Sequence, residues 1–476
     1  VIIWGIDRFV LGRDVPVRNE QEKPPVVRVA RSLLSGPRRR CHSALMTKVA
    51  LIGAGSVEFT RNVITDLCGF AELHGQLELA LHDIDADRLR YAEALVRRIS
   101  EQSGAGARVS SDVDRRTAVE GADYVINEIQ VGGYTATRAD FDIPARYGVR
   151  QTISDTIGIG GIFRGLRTIP VLVGIGEDLA KVAPDAYLLN YSNPMAMLPW
   201  AVYAGSPFQR VVGMCHSVRD THLFLAGLVG LPVTDIDFTT AGFNHQAFVL
   251  RFEHQGQDLY PALRAAIDAD PELGRRVRVE IFRRFGYFPT ESSEHSAEYV
   301  PWFMRHDEEV GHFRVPIGEY LRRSEANIDE YESTRRELES GQPLDLTPTS
   351  ELASEFIHAR ETGVAREIYL NVRNDGLISN LPDECCVEVP VVVDADGVHP
   401  TSVGALPPQL AALNRTFLNV VELTVRAVLD GNREHVYQAA LLDPNASAVL
   451  TTRTARALCD ELLAAHGDLI PAALRR

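Results

Sequence analysis

From Lys48 the chain runs Val49-Ala50-Leu51-Ile52 without a polar break, turns glycine-rich, then takes helical spacing through Asp66 and Leu67. A short continuous apolar run closed by a turn reads as a strand buried on both faces, so this stretch predicts the first half of a βαβ unit. The pattern recurs: Leu77–His82, closed by Asp83-Ile84-Asp85, predicts a second strand, and a helix carrying Leu89, Ala92, Ala94 and Leu95 follows. Residues 122–127, 186–190 and Val211–Met214 read as further short strands, the first two ending in Asn127 and Asn190. Alternation of this kind predicts an α/β fold with a doubly wound parallel sheet and ligands at the carboxyl ends of its strands. After about residue 235 the rhythm changes. Residues 238–252 are strand-rich, and charged helices with turns occupy the rest to Arg476. We therefore expect a Rossmann-type domain over 46–235 and a mixed α+β domain over 236–476 for substrate or oligomerisation, packed around a shared cleft, since no low-complexity linker divides them.

Residues 1–45 hold Gly36-Pro37-Arg38-Arg39-Arg40 and scattered prolines, but no sustained periodicity and no apolar core of a secretion signal. Asp7, Asp14, Glu20 and Glu22 argue against an organelle leader. The expectation is a non-native or disordered extension ahead of a start at Met46.

Composition narrows the partners. The 476 residues are 45% hydrophobic and 24% charged, enough for a large core and more than one domain. A formal charge of −15 repels phosphate backbones and anionic head groups, so neither nucleic acid nor a membrane is expected as a partner. A small neutral or metal-bridged ligand fits better. Six irregularly spaced cysteines give no disulfide framework and point to reduced thiols in the cytoplasm. No run approaches about 18 uninterrupted apolar residues, the length a bilayer span needs.

Candidate chemistry begins at the first turn. Gly53 and Gly55 allow backbone amides to approach a pyrophosphate, with Ser56 opening the helix whose N-terminus favours that charge. Asp83, at the end of the second strand, is placed to accept hydrogen bonds from a ribose, which favours NAD; Asn127 is a further cofactor contact. Glu58 stands where the third glycine of the usual fingerprint belongs. Cys215 and His245 each follow an apolar strand-like run and are metal-ligand types, although a buried structural cysteine and a satisfied core histidine are the better reading from spacing alone.

These segments, in order, resemble glycoside hydrolase family 4, in particular its α-galactosidase and α-glucosidase branch. The resemblance spans VALIGAGS at 49–56, DTIGIGGIFRGLRTIP at 155–170, NYSNPM at 190–195, the Cys215 and His245 segments, SEHSAEY at 293–299, NLP at 380–382 and LPPQL at 406–410. It implies an exception to two-carboxylate hydrolysis: NAD takes a hydride from carbon 3 of the sugar, a base removes the proton on carbon 2, the glycosidic oxygen leaves, water adds and the hydride returns. It implies manganese held by Cys215 and His245, contacts from Asn193 and Asp155 to the sugar hydroxyls, and His216 as leaving-group acid or substrate contact. The base would come from residues 290–303, with Tyr299 preferred over Glu294 and Glu298. The Cys-His-Ser form of the ligand segment resembles the branch acting on unphosphorylated α-hexosides, which puts α-galactosides first, α-glucosides second and uronic acid glycosides third. Arg164 and Arg167 keep an anionic substrate open. A homo-oligomer, dimer or tetramer, is implied as well, with the helices between 307 and 360 a possible interface. Of other classes, a 2-hydroxy acid dehydrogenase shares the expected first fold but does not require the thiol and imidazole pair, and a non-catalytic NAD sensor would tolerate loss of Cys215.

Overall fold

The computed structural model describes residues 46–476; the extension expected over 1–45 lies outside the described residues. Strands β1 (Thr47–Ile52), β2 (Leu77–His82), β3 (Arg108–Asp112), β4 (Tyr124–Asn127), β5 (Tyr187–Asn190) and β6 (Val211–Met214) lie in the order β3-β2-β1-β4-β5-β6. All five neighbouring pairs are parallel. This is the doubly wound Rossmann order, whose reversal between β1 and β4 opens a crevice at the strands' carboxyl ends. The run Val49-Ala50-Leu51 is fully buried because helices cover both faces.

The second half does not form a separate sheet. β7 (Asp237–Phe243), β8 (Gln246–His254), β9 (Gln257–Asp258), β10 (Arg366–Arg373), β11 (Cys386–Asp394) and β12 (Gly397–Pro400) continue the first one. From β6 the order runs β10-β11-β7-β8-β9, with β12 beside β11, to give twelve strands. These added pairs are antiparallel. One row across the junction joins Gly213, Asn371, Glu388 and Gly242. It brings the carboxyl ends of β6 and β7, which run in opposite directions, to the same level of the sheet, although two strands lie between them.

The helix Gly158–Val182 passes length and composition tests for a membrane span, but 78% of its apolar window is buried in the fold. It is a core helix. Its arginines are satisfied internally. Arg167 makes a two-point ion pair with Asp140, at 3.2 and 2.6 Å, and His466 Nε2 lies 2.8 Å from the same carboxylate.

Candidate active site

The glycine turn sits at the switch point. Gly53 has φ +90°, and a Cβ there would meet the Glu128 and Ile129 backbone at 3.1 Å, so both conformation and space require glycine. The Gly55 N–H donates to Asp83 Oδ2 at 2.9 Å, which sets the acid that follows β2 against the turn. Ser56 is the N-cap residue of helix Val57–Gly69. Glu58, on that helix's first turn, accepts from Asn327 Nδ2 at 2.7 Å, so its carboxylate is tied to helix Glu319–Ser340. At the end of β4, Asn127 donates to Asn190 Oδ1 and Ser192 Oγ, at 2.8 and 3.1 Å. That bond links the carboxyl ends of neighbouring strands.

Cys215, directly after β6, and His245, in the turn between β7 and β8, meet: Sγ lies 3.0 Å from Nε2. Glu291 completes the cluster, its Oε2 3.4 Å from the same Nε2. The three donor atoms lie within 4.8 Å of one another and all three residues are buried. Metal–ligand bonds of about 2.0–2.3 Å put neighbouring donors roughly 3–3.7 Å apart, a spacing that the two close contacts match. Burial pushes the Cys215 thiol well above its ordinary range and the Glu291 carboxyl up as well. A divalent cation favours both anions and reverses that penalty. The donor set fits such an ion.

Beneath the cluster, Glu388 on β11 accepts from Asn244 Nδ2 at 3.1 Å and from Asn371 Nδ2 at 3.3 Å, completely buried. This network ties the peptide before His245 to the strand beside β6.

Next to it lies a polar wall. Asn193 Nδ2 donates to Asp155 Oδ2 at 2.9 Å, while Asp155 Oδ1 and Asn193 Oδ1 are buried without partners. Such atoms carry a desolvation cost that sugar hydroxyls would offset. The loop ahead of Asp155 is held by Glu298, whose carboxylate accepts the Thr152, Ile153 and Ser154 N–H groups. A Cβ at Gly160 would strike Ser154 Oγ at 1.7 Å, which explains the glycine-rich start of the helix. Arg164 donates to Asn193 O at 3.1 Å and to the Tyr320 hydroxyl at 2.8 Å, so it braces this wall from behind. His216 Nε2 lies 2.8 Å from Glu351 Oε2, both buried. Glu351 is itself anchored where its N–H donates to Asp66.

The three candidates for the base fall in different roles. Glu298 is a backbone clamp. Glu294 is on the short helix Ser293–Glu298, with its main-chain oxygen accepting from Thr152 Oγ1. Tyr299 is fully buried, its ring edge-on to Phe417 and its hydroxyl 3.4 Å from Asn244 O, long for an O–H···O bond. Burial raises it well above the ordinary phenol range. The sequence reading missed Glu291, Glu351 and Glu388. Glu291 stands inside the segment searched for a base, but nothing in its spacing ties it to Cys215.

Comparison with known proteins fits this arrangement. Residues 48–231 match the family described as family 4 glycosyl hydrolase, and residues 240–446 match its C-terminal domain. The chain belongs to glycosyl hydrolase family 4, and is thus a glycoside hydrolase. Within that family it sides with α-galactosidases. It is 42% identical to an α-galactosidase of Bacillus subtilis over 90% of this chain and 99% of the relative. A second α-galactosidase, from Rhizobium meliloti, is 35% identical over 89% of each chain. The 6-phospho-β-glucosidase of Thermotoga maritima, solved with manganese, NAD+ and glucose-6-phosphate, has the same fold: TM-score 0.74 at 21% identity, covering 89% of this chain and 99% of that one.

Proposed function

We propose that this protein hydrolyses α-galactosides of neutral sugars with NAD and a manganese ion as resident cofactors. The observation that carries the reading is the convergence of Cys215, His245 and Glu291 at the carboxyl ends of the strands, beside the unpartnered oxygens of Asp155 and Asn193. Both α-galactosidase relatives and the manganese and NAD+ of the Thermotoga structure support it.

The turn at Gly53, Gly55 and Ser56 would hold the NAD pyrophosphate, with Asp83 on the ribose and Asn127 on the nicotinamide side. When bound, NAD supplies a reversible hydride acceptor and the cation an electrophile for sugar oxygens. The chain's residues do the remaining work. Asn193 and Asp155 orient the sugar hydroxyls. Tyr299 takes the proton from carbon 2. Its hydroxyl is weakly held by Asn244 O, and burial, helped by the nearby Asp155 and Glu298 carboxylates, keeps it protonated, so it acts as a base only in the loaded site. His216, steadied by Glu351, gives a proton to the departing glycosidic oxygen.

A neutral substrate is preferred because the arginines are committed: Arg167 to Asp140, Arg164 to Asn193 O and Tyr320. That argues against a uronate or phosphate at this wall; α-glucosides are the second choice. Cytoplasmic residence and assembly as a dimer or tetramer belong to the same proposal. The test is a panel of p-nitrophenyl α-glycosides with and without NAD+ and Mn2+. Turnover of the galactoside in the presence of both, lost when either is removed, is expected. Equal activity without them would sink the proposal.

A further inference from the structure

The sequence supplies two metal-ligand types, a thiolate and an imidazole, and such a pair is softer than manganese prefers. The structure adds an oxygen donor. Glu291 Oε2 is buried, has no hydrogen-bond partner, and lies 3.4 Å from His245 Nε2, the atom that Cys215 Sγ approaches at 3.0 Å.

The position of Glu291 is fixed by its surroundings. It has φ +86°, a backbone conformation rarely adopted by a residue with a side chain. Its N–H donates to Thr221 Oγ1 at 3.3 Å, and its main-chain oxygen accepts from Arg278 at 3.2 Å. Thr221 belongs to helix Ser217–Val229, which starts two residues after Cys215. The Glu291 backbone is therefore clamped to the helix that follows the thiol. Its other carboxylate oxygen, Oε1, accepts from the Ser292 N–H at 3.0 Å, which leaves Oε2 facing the imidazole. An acid with no role in the site has no reason to be held in this conformation, buried, with an oxygen unmet.

Charge points the same way. A divalent ion on a thiolate and a neutral imidazole leaves one net positive charge in a buried place; a carboxylate makes the group neutral. Buried charges persist where they are balanced.

We propose that Glu291 is a third protein ligand of the cation, so that this chain holds manganese before any sugar binds. This rests on the reading of Cys215 and His245 as metal ligands. The alternative for Glu291 is a proton-transfer role on carbon 2 with no bond to the ion, and the two differ in what sugar-free protein does.

Mn2+ binding to sugar-free, full-length protein, followed by loss of the EPR signal of free aqueous Mn2+, separates them. Wild type should bind one ion, and Glu291→Gln should weaken binding at least about tenfold. The same substitution should raise the ratio of Zn2+ to Mn2+ affinity, because it removes the harder donor. Glu294→Gln, three residues along, should leave Mn2+ affinity unchanged. A melting curve and NAD+ affinity equal to wild type establish that Glu291→Gln is folded; if it is not, Glu291→Asp, which keeps the charge on a shorter arm, is measured in its place and should also bind more weakly. Unchanged Mn2+ affinity in the folded variant would overturn the proposal, even with activity lost. Wild type that binds no Mn2+ without sugar would overturn it as well; wild type that binds none even with galactose and NAD+ present would overturn the metal reading of the whole site.

Discussion

Asp140→Asn removes one charge and almost no volume from a site where three groups share one carboxylate. Arg167 and Asp140 have side chains 0% and 3% exposed, and His466, at 1%, approaches the same oxygens. The asparagine keeps one acceptor oxygen but turns an NH2 toward a guanidinium that also donates from Nε to Val131 O at 2.9 Å. A buried arginine left without its counter-charge costs about 3–5 kcal/mol, several times the worth of an exposed pair. Spread over an unfolding entropy of about 2.1 cal/mol/K per residue, or roughly 0.9 kcal/mol/K for ~430 residues, this lowers the melting temperature by about 3–6 °C. Differential scanning calorimetry reads that shift directly. Hydrolysis of p-nitrophenyl α-galacturonide by the same variant reads the functional half of the argument. If Arg167 serves the fold, releasing it from Asp140 gives no gain on the uronide. A shift under about 1 °C, or a rise in uronide turnover relative to the galactoside, would refute the assignment of Arg167 to the core.

Three further outcomes follow from the site. Tyr299→Phe should reduce turnover by about 10²-fold or more while the melting temperature stays within a degree or two, as expected for loss of a base rather than of packing; turnover within threefold of wild type removes Tyr299 from the chemistry. Glu351→Gln should slow galactosides with alkyl or sugar leaving groups more than p-nitrophenyl α-galactoside, whose leaving group needs little protonation; equal losses on both mean that Glu351 does not act through His216. Glu128 is buried beside Gly53, receives the Thr60 hydroxyl at 2.9 Å, and burial pushes it up to about 8 from 4.5. Between about pH 4.5 and 8 the folded chain thus holds a proton that the unfolded chain has released, so this group's contribution to stability falls as pH rises. Thermal melts from pH 6 to 8.5 should show a smaller decline for Glu128→Gln than for wild type, and an identical slope in both would contradict the shift.

The Rossmann half was legible because its central strands are buried on both faces and so read as unbroken apolar runs; Leu77–His82 and Val211–Met214 coincide with the predicted spans. β3 was not, because Arg108–Asp112 is an edge strand with no fully buried residue and carries no apolar signal. Nor could the continuous sheet be foreseen: nothing local to Asn371 or Glu388 says that β10 and β11 insert between β6 and β7. The same limit governs the site. Cys215 and His245 stood out by residue type and resemblance. Glu291 and Glu351 become visible when distant segments are brought within 3.4 and 2.8 Å of their partners. Glu58, out of place in a glycine fingerprint, is explained by Asn327, 269 positions away in sequence.

The central claim is that the glycosidic bond is broken by elimination from the sugar rather than by displacement at its first carbon. Hydrolysis of an α-galactoside in D2O, with NAD+ and Mn2+ present, tests it through one atom. Loss of the carbon 2 proton to Tyr299 and its replacement from solvent predicts galactose carrying deuterium at carbon 2. Galactose released with protium alone at that carbon would contradict the account.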